Sequence, residues 1–530
     1  MKPARRLEPI IQSNRVRTNF LVRRCLMRKS RAIWMFAFLL VTLDQRMLAL
    51  NAQVNPSADV IVVDANASSH PFPHFWEKMF GSGRAVLSLR DSYQRDLREV
   101  KQITDFEYVR FHAIFHDEVG LYDEDSQGNP IYNFTYVDQI YDGLLANGVK
   151  PFVELSFMPQ KLAANNTLHS FWYKPNVSPP KDWDKWDALI ATFAKHMIDR
   201  YGLDEVASWY FEVWNEPNLD FWAGDPKQAT YWDLYDHTAR AIKSVNPRLR
   251  IGGPATAQAA WVDAFIKHCA DNNVPVDFAS THVYANDLSR DVFGTNEDIP
   301  RDKMVSRAVS KVHDQIEASS MPKLPLIWSE FNASYKNEPE VTDSIYMGPW
   351  LADMIRQCDG LVNMMSYWTF SDVFEEQGVV KTPFYGGYGL IAAYGIPKPA
   401  YNAFKLLHKL GDQRIALDSD SALLTRRGDG TWVLAVWNYA PPEQAGLPRT
   451  LTLRFQNTKP QLATLSRLDS EHGDFHSAYE KMGSPRYPTQ TQIQELRRVT
   501  ELPDPQIVKL QNDELNVTLP AHGLALIEVK

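Results

Sequence analysis

Two glutamates set the chemistry open to this chain. Glu216 follows the run Trp209, Tyr210, Phe211, Glu212, Val213, Trp214, Asn215, and Glu330 follows Leu326, Ile327, Trp328, Ser329. Each run is apolar enough and short enough for a buried strand, and each ends in a carboxylate. Pro217 has no backbone N–H to give to a ladder, so the chain must turn away just after Glu216. A single strand-end glutamate is ordinarily the partner of a Lys or Arg. Two of them facing each other are what glycoside hydrolysis needs: one protonated to release the leaving oxygen, the other ionised to meet the anomeric carbon. A separation of about 5–5.5 Å between the carboxyls predicts retention of configuration, and one of about 6.5 Å or more predicts inversion.

That pairing requires strands that deliver both groups to one rim. Strands are expected at 79–85, 108–112, 151–156, 209–214, 250–254, 278–284, 325–330 and 364–370, which is the set a closed parallel barrel requires. Helical periodicity lies between them. Residues 183–201 align Trp186, Leu189, Ile190, Phe193 and Met197 along one stripe, with further helices at 93–104, 137–147, 229–245, 259–271, 303–318 and 341–358. The expected fold is therefore α/β, a (β/α)8 TIM barrel over 75–410. Glu216 then ends the fourth strand and Glu330 the seventh, 114 residues apart, about three strand and helix units. The C-terminal ends of such strands open onto the active-site face.

After 416 the texture changes to short alternating runs at 431–437, 450–455, 515–519 and 524–529, which read as antiparallel strands. With a strand at 59–64 they are expected to form a β-sandwich accessory domain from 53–74 and 411–530. The polar stretch 470–502, helical near 490–498, is expected to be an insertion reaching over the cleft.

Of the 530 residues 44% are hydrophobic and 12% aromatic, enough for a large interior, and the 15 Trp and 22 Tyr fit either core packing or stacking on sugar faces. Residues 1–52 hold eleven Lys or Arg against two acids, so their +9 leaves −17 for the remainder of a chain of net charge −8. An acidic body repels phosphates and argues against a nucleic-acid partner. The basic start and the twelve-residue apolar run 32–43 have the form of a signal peptide, too short to span a bilayer. Export is expected, with cleavage after Ala52, no stable membrane insertion afterwards, and a periplasmic or extracellular location; an uncleaved anchor is the alternative. Translation from Met27 would leave Arg28, Lys29 and Arg31 as the basic region, whereas from Met1 the pair Arg23-Arg24 resembles a twin-arginine signal. Cys25 goes with the leader, and Cys269 and Cys358 read as buried thiols on helices. A homo-oligomer remains open.

The segment from Phe211 to Leu219, with Trp222 following, resembles the acid/base segment of glycoside hydrolase family 39, whose barrel enzymes use two glutamates. Val109-Arg110-Phe111-His112, Tyr132-Asn133-Phe134-Thr135-Tyr136, Phe152-Val153-Glu154-Leu155-Ser156 and Tyr367-Trp368-Thr369-Phe370 resemble that family in the same order, over roughly 80–530. The resemblance implies a retaining enzyme with no metal or organic cofactor, Glu216 as general acid/base and Glu330 as nucleophile. It implies that Arg110 keeps the nucleophile ionised, for which a structural salt bridge is the alternative. Asn215 would meet the sugar 2-hydroxyl, and His112, His282, Tyr284 and Trp368 join the substrate-binding candidates, Tyr284 placed to donate to Glu330.

Specificity turns on charge. Glu375 and Glu376 follow the eighth strand, and no Lys or Arg occurs from 363 to 380. Acidic acceptors suit neutral ring hydroxyls, whereas a uronic acid needs a cationic clamp. The expected activity is that of a retaining β-xylosidase on xylo-oligosaccharides or xylosides. Another specificity of the family, arabinosidase or α-L-iduronidase-like, is the near alternative, and a non-catalytic sugar-binding barrel the alternative from a different class.

Overall fold

The computed structural model describes residues 59–530, so the expected leader, Cys25 and the cleavage point lie outside the described residues. Eight parallel strands close into a barrel in chain order: Met79–Gly81, Tyr108–Phe111, Lys150–Leu155, Tyr210–Val213, Arg250–Thr256, Phe278–Tyr284, Leu326–Asn332 and Met364–Tyr367. The eighth pairs back onto the first, Ser366 against Met79. Helices such as Trp183–Tyr201, Lys227–Val245, Val262–Asn272 and Arg301–Glu317 occupy the crossovers. Asp182 caps the first of these by accepting the Lys185 N–H. The helix expected over 341–358 is two, Pro339–Thr342 and Met347–Cys358. The break falls where the Ser344 hydroxyl bonds to the Val341 carbonyl and accepts the Tyr346 N–H, competing with the helical ladder.

Side chains fill the barrel in layers with the two-residue period of a strand. At the N-terminal end Met79, Tyr108, Phe152, Phe278, Ile327 and Met364 form an apolar floor, with Tyr210 packed against it. The fifth strand contributes Gly252, because a Cβ there would lie 2.4 Å from the Phe278 carbonyl oxygen and 2.6 Å from its ring. Two residues further along the same strands the interior turns polar: Arg110, Glu154, Glu212, Ser280, Ser329 and Ser366, all buried. Above that layer lies the site.

Besides two small two-stranded sheets, two larger sheets stand outside the barrel. Asp59–Asp64 pairs in parallel with Arg449–Gln456, which pairs antiparallel with Glu514–Leu519. A seven-stranded sheet runs in the order Ser69–Pro71, Gln413–Ile415, Ala422–Arg426, Trp432–Trp437, Leu524–Val529, Leu462–Leu468, Gln506–Lys509. Ile61, Leu453 and Val517 from the small sheet share one apolar cluster with Leu434, Leu465 and Ile527 from the large one. Alternate residues of the large sheet, Leu423, Val433, Leu524 and Leu526, belong instead to the core of the barrel and its helices, together with Leu351 and Phe404. Both faces of its central strands are thus buried. Continuous apolar runs such as Trp432–Trp437 follow from that.

The segment 470–502 does not cover the cleft. Its helices His476–Lys481 and Gln490–Val499 set Phe475, Ile493 and Leu496 against Ala392 and Ile396, and Arg497 pairs with Glu99 at 2.8 Å. Cys269 and Cys358 are buried free thiols on helices. Among the described residues no helix is long and apolar enough to cross a membrane. Gly252→Ala should destabilise the protein by about 1–3 kcal/mol through overpacking of the floor; urea unfolding measures it, and an unchanged midpoint would contradict the crowding described.

Candidate active site

A bulge aims Glu330 inward. Along the seventh strand Ile327 and Ser329 point into the barrel, and strict alternation would turn Glu330 toward the helices. The sixth strand pairs Thr281 with Trp328 and then His282 with Glu330, so Ser329 is the extra residue. Such a bulge re-aims the side chain that follows it, and here both Ser329 and Glu330 face the interior. Glu216 arrives by another route. The fourth strand ends at Val213, earlier than expected, and Trp214 and Glu216 take positive φ of 72° and 45°. A non-glycine residue in that region stores about 1–3 kcal/mol of strain, sustained only where surrounding contacts over-determine it. Here the Glu216 N–H donates to the Ala255 carbonyl at 2.8 Å, and the Glu216 carbonyl accepts from Leu219 at 2.9 Å.

The two carboxyls meet. One oxygen of each lies within 4.8 Å of the other and of a ring nitrogen of His282. His282 Nδ1 is 3.1 Å from Glu216 Oε1 and 3.7 Å from Glu330 Oε1. Arg110, fully buried, donates from Nη1 to Glu330 Oε1 at 2.5 Å, from Nε to Glu212 Oε2 at 2.6 Å and from Nη2 to Asn215 Oδ1 at 3.0 Å. Its Nη2 also lies 2.8 Å from Glu154 Oε2. Tyr284 donates its hydroxyl to the other oxygen of Glu330 at 2.7 Å.

Burial pushes both carboxyls upward, but unequally. At Glu216 the negative charges of Glu330 and Asp287 add to the effect of burial and carry it well above the ordinary carboxylate range. At Glu330 burial is opposed by the charges of Arg110 and His112 and by the Tyr284 hydroxyl. The proton shared by this pair therefore rests on Glu216. Burial works against charge on His112, yet Glu154 and Glu376 hold it as an imidazolium, pushed up to about 10. His282 goes the other way, driven well below its ordinary value by burial and by the charges of Arg110 and His112.

The pair opens into a cavity of about 360 Å³. His112, Asn215, Tyr284, Trp368 and Glu376 line it with the two glutamates. His112 and Trp368 stand with ring centroids 4.8 Å apart. The Trp368 indole reaches its place because the first strand ends in Gly81, where a Cβ would fall 2.1 Å from the ring. Two expected substrate contacts are corrected. Glu375 does not line the cavity; its carboxylate is taken by Arg84 at 3.0 Å and Arg90 at 2.6 Å, cations that the sequence places far from it. His282 lies beneath the two glutamates and touches them and Ser329 rather than the open space. Arg110 is likewise below the cavity, against Glu330.

Several contributors carry no local signal in the sequence. Glu154 and Glu212 are single carboxylates inside apolar strands, directly opposite each other across the third and fourth strands. That shared register is visible only once the strands are paired. Phe171, Leu219 and Phe221 form an apolar wall, and Asp287 and Asp291 bring acids to the rim. Burial pushes Asp287 up to about 7. Among the described residues two groups have ligand atoms close enough to hold a cation: Glu216, His282 and Glu330, and outside the cavity His74, Glu77, Asp105 and His408. In the first, Arg110 already supplies a positive charge to Glu330. In the second, Glu77 Oε1 takes hydrogen bonds from both imidazoles, at 2.6 Å and 3.0 Å.

A closed (β/α)8 barrel with two facing carboxyls at the C-terminal rim defines a glycoside hydrolase architecture. The model of the glycosyl hydrolases family 39 matches residues 59–512. A Beta-xylosidase of Geobacillus stearothermophilus is 36% identical over 477 residues, covering 87% of this chain and 93% of that protein. One from Caldicellulosiruptor saccharolyticus is 34% identical over 469 residues, covering 86% and 95%. Among solved structures, a monomeric beta-xylosidase from Caulobacter crescentus CB15 superposes with a TM-score of 0.81 at 36% identity, covering 89% of this chain and 99% of that one. The chain belongs to glycosyl hydrolase family 39.

Arg110→Met strands Glu154, Glu212 and Glu330 without their shared cation and should cost about 3–5 kcal/mol of stability, the penalty of breaking a buried pair. Chemical denaturation measures it. A loss below about 1 kcal/mol, the range of an exposed pair, would show that these carboxylates do not depend on Arg110.

Proposed function

We propose that the protein is a retaining β-xylosidase that works by double displacement. The observation carrying this reading is the facing Glu216 and Glu330 pair, one oxygen of each within 4.8 Å of the other, a close approach that favours direct attack by Glu330 over a pair spaced for an intervening water. Glu216 gives its proton to the glycosidic oxygen while Glu330 attacks the anomeric carbon from the opposite face. The C–O bond to the leaving group breaks as the bond to Glu330 forms. Water then attacks the same carbon, Glu216 takes its proton, and the Glu330 ester bond breaks. Asn215, anchored by Arg110, is the group for the sugar 2-hydroxyl, a contact that strengthens as positive charge develops on the ring. Trp368 offers a platform for the sugar, and His112 and Glu376 offer polar contacts along the cavity wall.

Xylose is favoured by two considerations. The relatives that match most of the chain bear the name Beta-xylosidase. Among the described residues lining the cavity none is Lys or Arg, whereas Glu376, Asp287 and Asp291 are acids. The one cation in the wall, His112, is already paired with Glu154 and Glu376, so a uronate would meet a surplus of negative charge and no free cationic clamp. The same considerations rank an iduronidase-like specificity below xylose, and aryl glycosides of xylose, arabinose and uronic acids separate the possibilities directly. We further propose that the two C-terminal sheets constitute the expected β-sandwich, and that the basic, apolar start of the chain directs export.

Glu330→Ala should abolish hydrolysis of aryl β-xylosides, and azide should restore turnover as a glycosyl azide of inverted configuration. Near-native turnover without azide would remove Glu330 from the nucleophile role. With the native enzyme and xylotriose, NMR of the first-formed xylose should show the β-anomer.

The pH dependence of kcat/KM should be a bell. Activity falls as pH drops through the pKa of Glu330, which must be ionised, and as pH rises through the raised pKa of Glu216, which must be protonated. An alkaline limb within the ordinary carboxylate range would contradict the environment described for Glu216.

A further inference from the structure

Beneath the pair of glutamates lies a chain of buried polar groups that the double displacement does not use. Glu212 accepts from Arg110 Nε on Oε2 and from the Ser329 hydroxyl on Oε1, both at 2.6 Å. Ser329 Oγ is 3.1 Å from His282 Nε2, and His282 Nδ1 is 3.1 Å from Glu216 Oε1. A serine hydroxyl has a single proton. Here that proton is spent on Glu212, so toward His282 the oxygen can only accept, and Nε2 must carry the hydrogen. In the neutral imidazole Nδ1 is then bare. A bare nitrogen facing Glu216 Oε1 accepts a hydrogen bond from a carboxylic acid and repels a carboxylate.

We propose that Ser329 and Glu212 are positioning residues that fix the tautomer of His282 and, through it, hold the acid proton on Glu216. This rests on the reading of Glu216 as general acid. The opposite tautomer, with hydrogen on Nδ1, would donate to Glu216, favour its ionised form and leave the leaving group without a proton. The arrangement also serves the second half of the cycle. Once Glu216 has lost its proton, its carboxylate faces the Nδ1 lone pair, and taking a proton from the attacking water relieves that repulsion.

Other charges bear on Glu216: Glu330 across the cleft, Asp287 beyond the sixth strand, and the cations Arg110 and His112 from the second. These shift its proton affinity whatever the tautomer of His282. Only the tautomer passes through Ser329. The bulge in the seventh strand gives the arrangement its geometry, since it puts Ser329 under His282 while leaving Glu330 in the cleft.

The test has a spectroscopic arm and a kinetic arm. Nitrogen NMR of the full-length enzyme with labelled histidine, and His282→Gln for assignment, should show His282 neutral with hydrogen on Nε2. An imidazolium, or hydrogen on Nδ1, would overturn the proposal even if every variant failed to fold. In Ser329→Ala the alkaline limb of kcat/KM should move down by roughly one pH unit, the equivalent of one lost hydrogen bond. Turnover should fall for xylosides with poor leaving groups and hold for dinitrophenyl xyloside, which needs no acid, and Ser329→Thr should restore part of the loss. A uniform loss with all leaving groups and an unmoved alkaline limb would reduce Ser329 to a packing residue. Glu216→Ala is the control for the reading beneath: if it lacks the same leaving-group dependence, the assignment of Glu216 fails; if it has it and Ser329→Ala does not, only the positioning role fails.

Discussion

One guanidinium organises the interior of this barrel. Arg110 is enclosed by Glu154, Glu212 and Glu330, and each of these carboxylates is nearly or wholly removed from water. An ion is expensive to bury alone, and a group of them is tolerable only when their hydrogen bonds and charges are mutually satisfied. That requirement fixes the middle layer. Arg110 can serve three acids and Asn215 at once because its fork of N–H groups points in several fixed directions, which a lysine could not reproduce. The difference between the two facing glutamates follows from the same fact: Glu330 lies within the reach of Arg110 and keeps its charge, while Glu216 lies beyond its hydrogen bonds and keeps its proton.

Regular strands would not have produced that difference. Alternation along the seventh strand allows either Ser329 or Glu330 to face inward, and the extra residue at Ser329 lets both do so. On the fourth strand regular pairing stops at Val213, and the strained backbone of Trp214 and Glu216 turns the acid back toward the seventh. Departures from ideal geometry thus sit where the chemistry sits, and ordinary layers of apolar residues below them supply the stability they consume. Met79, Phe152 and Phe278 form such a layer in the barrel floor.

Much of this could be read before any coordinates. Short apolar runs alternating with helical stripes placed all eight barrel strands, and the two strand ends with carboxylates were brought to one rim as expected. Arg110, His112 and Tyr284 were legible from their places at or near strand ends and from the resemblance to the family, and they gather around the pair. What was not legible depends on distance in the chain. Glu375 looked free because no cation stands near it in sequence, yet Arg84 and Arg90 reach it from a segment nearly three hundred residues earlier. His282 looked like a wall of the cavity because its strand-end position could not reveal that Glu216 and Glu330 would lie over it. The five unforeseen strands of the larger sheet, among them Leu462–Leu468 and Gln506–Lys509, are short, partly exposed or preceded by polar stretches, which weakens the alternation that marks a strand.

The adjacent pair Glu375 and Glu376 shows how position divides identical chemistry. Glu375 is spent on Arg84 and Arg90, so two cations that come near the cleft are neutralised before they can meet a ligand. Arg84 is held further by Glu118 and lies against the rings of Trp172 and Tyr173. Glu376 turns to the cavity, where its nearest cationic partner is His112 at 3.6 Å. The result is a site whose positive charges are all engaged below or beside it and whose open surface offers aromatic faces and acceptors. Ring hydroxyls can donate to such acceptors and C–H faces can rest on Trp368, whereas a sugar carboxylate would have to displace a buried glutamate from its arginine. The preference for a neutral sugar therefore arises less from any one contact than from how completely the protein has paired its own cations.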